Sequence, residues 1–155
     1  MSGLRTVCYG IPRDPAAVGE ARRVTRDTLT GWGLPPAFVD DAVLVVGELV
    51  ANATVYGEEP IRLSLWGMAQ GVCVRVTDHG SGAPRMLDLG EDASHGRGLA
   101  IVEALADRWG VVPLSTNSEG KTVWAAWEVS RSGVAIGCAD PIPALGLHER
   151  VDRRL

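Results

Sequence analysis

Apolar residues recur at steps of four and three through Val39, Val43, Val46, Val50 and Ala53, which is one stripe of a helix. Leu44, Val45 and Leu49 cover much of the remaining surface, so this helix is expected to be buried on more than one side. Pro35-Pro36 opens it and Gly57 closes it. Glu48 and Asn52 interrupt the apolar surface; four apart, they stand one above the other on the same side. A carboxylate and an amide in such a place are costly unless something satisfies them.

Upstream, residues 4–11 read as a strand, and Asp14-Pro15 as a helix start with Asp able to cap the first amides. Val18, Ala21, Thr25, Thr28 and Trp32 form the expected inner stripe of that helix. Arg22, Arg23 and Arg26 lie off the stripe and read as a solvated face. Gly31 and Gly33 end it.

From Ile61 the period changes to two. Ile61, Leu63 and Leu65 alternate with Arg62, Ser64 and Trp66. After the short connection Gly67–Gly71, Val72, Val74 and Val76 share a face, opposite Cys73, Arg75 and Thr77. The two runs predict an antiparallel hairpin. Asp78 continues the apolar face, so its carboxylate is aimed inward.

An irregular polar stretch, residues 83–95, leads to Gly96-Arg97-Gly98 and a helix from about Leu99, with Leu99, Val102, Leu105 or Ala106, and Trp109 as its inner stripe. Val111 to Leu114 and Lys121 to Val129 read as strands around a turn, with Val123, Ala125, Trp127 and Val129 on one face of the second. The expected division is a domain over residues 1–130 and a Gly-, Pro- and charge-containing tail over 131–155.

Composition adds limits. One domain with a real core fits 155 residues. No apolar run is long enough to span a membrane and the first residues lack a secretion signal, so the expectation is a cytoplasmic protein without a membrane partner. A net charge of −4 gives no bulk electrostatic reason to expect direct nucleic-acid binding. The three cysteines and three histidines match no metal-ligand spacing and no disulfide framework.

Three polar signals then stand in order: Glu48-x-x-x-Asn52 on a buried helix, Asp78-x-Gly80-x-Gly82 after a strand, and Gly96-x-Gly98 opening a helix. Each alone has a bland reading: a helix pair, a turn, a flexible helix start. Together they have one chemistry. Glycines admit close backbone approach, a helix N-terminus offers amides to phosphate, and an Asn oxygen suits Mg²⁺. A Glu one turn away can take a proton from a nucleophile, and an inward Asp can accept from the amine of adenine. These features describe a nucleotide pocket without a Gly-x-x-x-x-Gly-Lys phosphate loop.

With these motifs the chain resembles the gyrase/histidine-kinase-like ATPase superfamily, with Gly120-Lys121-Thr122 similar to the closing strand of its ATP site. The size and short lid are similar to one branch, the anti-sigma factor serine/threonine kinases of bacterial partner switching. The resemblance covers roughly residues 10–129. It implies an α+β two-layer sandwich, a mixed, mainly antiparallel sheet with helices packed on one face. It implies ATP and Mg²⁺ as cofactors, Asn52 holding Mg²⁺ and Glu48 as general base. Asp78 would bind the adenine amine with Thr122 assisting, Gly80 and Gly82 would shape the base pocket, and Gly96, Arg97, Gly98 and Leu99 would meet the phosphates. Residues 83–95 would be the lid.

The implied activity is transfer of the ATP γ-phosphate to a Ser or Thr of an anti-sigma factor antagonist by a protein that also holds a sigma factor, and the resemblance suggests a homodimer. The alternative is an ATP-binding module that only sequesters its partner. A histidine-kinase module ranks lower, because the chain has no room for a phosphoacceptor hairpin. A non-nucleotide α+β domain with coincidental motifs is the blandest reading. The chain departs from the family at Tyr56, where members commonly carry a basic residue. His79 is expected to be a solvent-facing loop residue and Lys121 a solvated strand-end charge.

Overall fold

The computed structural model describes residues 4–80, 100–114 and 119–128. Gly82, Gly96, Arg97, Gly98, Leu99, the expected lid 83–95 and the tail 131–155 lie outside the described residues.

The order of elements is β1 (Arg5–Ile11), α1 (Ala17–Gly31), α2 (Pro36–Tyr56), β2 (Ile61–Met68), β3 (Gly71–Asp78), β4 (Arg108–Pro113) and β5 (Lys121–Glu128). The described strands form one sheet in the order β1-β2-β3-β5-β4, and every pairing among them is antiparallel. With α1 and α2 packed together on one face, this is the expected two-layer α+β sandwich.

Strand alternation builds the inner layer. Leu63 and Leu65 of β2, Val74 of β3 and Ala125 of β5 are completely buried, and they meet Val45, Val46 and Val50 of α2 in the same core. The β2–β3 connection is tighter than the sequence suggests. Met68 pairs with Gly71, which leaves a two-residue turn of Ala69 and Gln70. The opposite face carries a smaller cluster of Cys73, Trp124 and Ala126 joined by Trp66 and Val112, with the Arg75 guanidinium 5.2 Å from the Trp66 ring.

α1 begins two residues later than its sequence signal. The Asp14 carboxylate accepts from the Ala16 amide, but helical geometry starts at Ala17. Its buried stripe is Ala17, Ala21, Thr25 and Leu29. Thr25 donates its hydroxyl hydrogen back to the Ala21 carbonyl, which satisfies a buried hydroxyl. Thr28 instead meets the Tyr9 hydroxyl at 3.0 Å and ties α1 to β1. Arg22, Arg23 and Arg26 form the expected exposed face, Arg23 and Arg26 pairing with Asp27 and Asp40; the Arg22 side chain also lies against Gly47 of α2, where a Cβ would collide with it.

α2 fulfils the buried-helix expectation with one exception. Leu44 is 40% exposed. The helix after the undescribed segment also ends earlier than expected. Residues 100–105 are helical, and Trp109 belongs to β4, paired with Ala125. Trp109, Val111 and Val112 favour a pleated edge beside β5, and Asp107 marks the change, donating its amide to Ala126 while its carboxylate accepts from the Glu128 amide.

Candidate nucleotide-binding site

The C-terminal end of α2, the end of β3 and the start of β5 meet at one corner of the sandwich. They line a pocket of about 290 Å³, counting its open mouth, formed by Leu49, Asn52, Ala53, Tyr56, Val76, Asp78, Lys121 and Val123. Its walls are apolar, and a few polar groups converge on them, the usual make-up of a small-molecule site.

Asp78 stands at the foot of this pocket, 2% exposed. The phase of β3 carries it inward, as expected. Its Oδ1 accepts from the Gly80 amide at 2.8 Å and its Oδ2 from the Lys121 ammonium at 2.9 Å. The close fit around it depends on glycine. A Cβ on Gly57 would lie 2.4 Å from the Asp78 carboxyl carbon, and one on Gly80 would lie 3.0 Å from the Gly57 Cα. Gly120, at φ +123°, closes the third side, with a Cβ position 2.6 Å from the Asp78 carbonyl oxygen. Gly57 and Gly120 are therefore as much part of the site as Gly80, although sequence reading treats the first only as a helix stop.

Asn52 lines the pocket, one turn beyond the partly exposed Glu48 on the same side of α2; Glu48 is not among the residues that line it. Tyr56 forms the wall at the end of α2.

The structure does not bring Thr122 into the pocket. Thr77 and Thr122 pair across β3 and β5, and their hydroxyls lie 2.7 Å apart on the face away from the helices. The pocket side of β5 belongs to Lys121, whose side chain is only 12% exposed. It is not the solvated charge expected from the sequence. Carrying the alternation of Val123, Ala125 and Trp127 back two residues gives the same result.

His79 is also more constrained than a free loop residue. Its Nδ1–H donates to the Pro60 carbonyl at 2.9 Å, and its amide donates to the Glu58 carbonyl at 3.0 Å. Arg13 fastens the neighbouring loops, donating its amide to Glu59 and its Nε–H to the Thr54 carbonyl.

The chain matches the histidine kinase-like ATPase domain family over residues 11–127. The chain belongs to that family. The ATPase fold implies an ATP site, and the pocket occupies the corner where Asn52 and Asp78 come together. The crystal structure of the RsbU and RsbW domains of Rv1364c from Mycobacterium tuberculosis has a similar fold, with a TM-score of 0.60 at 20% sequence identity. The match covers 82% of this chain and 33% of that one, so this chain spans about a third of its relative's length. A search of curated proteins finds no match. Among the described residues no helix is long and apolar enough to cross a membrane, and no cluster of three or more His, Cys, Asp or Glu side chains is placed to hold a metal ion.

Proposed function

We propose that the protein is a serine/threonine kinase of partner switching: it binds ATP with Mg²⁺, holds a sigma factor, and phosphorylates a Ser or Thr of an anti-sigma factor antagonist. The observation that carries the nucleotide part is Asp78, a buried carboxylate at the foot of a mostly apolar pocket whose opposite wall is Asn52. The sequence motifs and the fold shared with an RsbW-containing protein support the regulatory part.

The residues present fit the nucleotide. Gly57 and Gly80 let the Asp78 carboxyl pack against the end of α2, and Asp78 keeps lone pairs for the base. Asn52 offers the hard oxygen that Mg²⁺ takes alongside water and phosphate oxygens. When bound, Mg²⁺ neutralises charge on the phosphoryl group being transferred. Glu48, a turn nearer the start of α2, orients the acceptor hydroxyl and takes its proton.

The test is transfer from ATP radiolabelled at the γ-phosphate to cognate antagonist proteins. Glu48→Ala is expected to bind ATP normally and lose transfer by about a hundredfold or more. Asn52→Ala is expected to weaken Mg-ATP binding itself. Binding without transfer to any cognate partner would turn the reading toward sequestration, and normal binding and transfer by both variants would reduce α2 to a core element. Pull-down of sigma factor and antagonist with the wild-type chain checks the regulatory part.

A further inference from the structure

Lys121 faces Asp78 directly across the β3–β5 register, with its ammonium 2.9 Å from Oδ2. Both side chains are largely removed from water, at 12% and 3% exposure. A buried ammonium keeps only the partners the protein or a ligand provides, and Lys has three protons to place. One goes to Asp78. Asp78 in turn has one accepted bond on each oxygen, which leaves a lone pair on each. The pair thus presents unused donor protons beside unused acceptor sites to the same pocket, which both residues line.

We propose, on the basis of the ATP-site reading, that Lys121 is a specificity-determining residue that reads the base. Adenine has an exocyclic amine next to a bare ring nitrogen on one edge. The amine donates to Asp78, and the ring nitrogen, N1, accepts directly from the Lys121 ammonium. Thr122 has no part in this contact, since its hydroxyl is engaged with Thr77 on the other face of the sheet. The Lys121 cation also holds Asp78 in place before the base arrives, so the acceptor and the donor are oriented together.

The experiment compares ATP with 1-deaza-ATP, in which N1 is replaced by CH, and with 7-deaza-ATP as a control altered on another edge. Calorimetric titrations use the full chain, wild type and Lys121→Met. The wild type is expected to bind 1-deaza-ATP about tenfold or more weakly than ATP, the size expected for a hydrogen bond to a charged group, and 7-deaza-ATP nearly as well as ATP. The N1 preference should vanish in Lys121→Met. Equal wild-type affinity for ATP and 1-deaza-ATP would overturn the base-reading role, as would tighter ATP binding by Lys121→Met, which would make Lys121 a competitor for Asp78. The wild-type comparison holds even if the variant folds poorly. Failure of the wild type to bind ATP at all would overturn the ATP-site reading itself, a separate outcome.

Discussion

Gly57 adopts φ −98° and ψ −174°, a conformation open to any residue, so the demand for glycine there is one of space alone. The missing Cβ is filled by the Asp78 carboxyl group. Gly57→Ala is therefore expected to cost about 2 kcal/mol of stability through overpacking and to lower ATP affinity by pushing Asp78 aside, which urea unfolding and ATP titration would measure together. Asp78→Asn is expected to cost about 3 kcal/mol, because it leaves the Lys121 ammonium buried without its counter-charge; the same unfolding experiment checks it. At this scale the inward aim of Asp78 was legible from one strand's alternation. The pocket-side position of Lys121 was equally legible in β5, but motif similarity drew attention to Thr122, whose hydroxyl bonds on the wrong side of the sheet. The closeness of Gly57 to Asp78 could not be read, because it joins two elements by tertiary packing and leaves no periodic trace.

Among the elements, α2 matches its pattern best because its apolar stripe from Val39 to Ala53 is buried. Val45, Val46 and Val50 are fully enclosed, while Leu44 at 40% exposure contributes little. Replacing Leu44 with Ala should change stability by less than about 0.5 kcal/mol, whereas Leu65→Ala, emptying a fully buried site on β2, should cost about 3 kcal/mol in denaturant titrations. The boundary between the last helical stretch and β4 was the least legible. Val102, Ala106 and Trp109 fit a helical stripe equally well, and only the partnership of Trp109 with Ala125 on β5 decides otherwise. Pairing between strands distant in sequence overrides a local period in such short segments.

At the scale of the molecule, the sheet has two unlike faces. One carries the helices and the nucleotide corner; the other carries Cys73, 1% exposed, beside Trp124 and Ala126. Burial pushes the Cys73 thiol from an ordinary value of 9.0 up to about 12. Because the folded value is raised, this thiol makes no pH-dependent demand below about pH 9. Above it the unfolded chain ionises first, so stability should fall as pH rises toward 12. Alkylation followed by mass spectrometry should modify the exposed Cys8 in the native protein and Cys73 only after unfolding. Strand order has a further consequence, for the growing chain on the ribosome. β4 is synthesised before β5 but pairs with no other described strand, and β3 waits for the same partner on its inner edge. Until residues 121–128 emerge, a valine-rich strand keeps an open edge, the kind of surface that chaperones shield and that pairs wrongly between neighbouring nascent chains. The same late strand delivers Lys121, so completion of the sheet and formation of the Asp78–Lys121 ion pair arrive in a single event of biosynthesis.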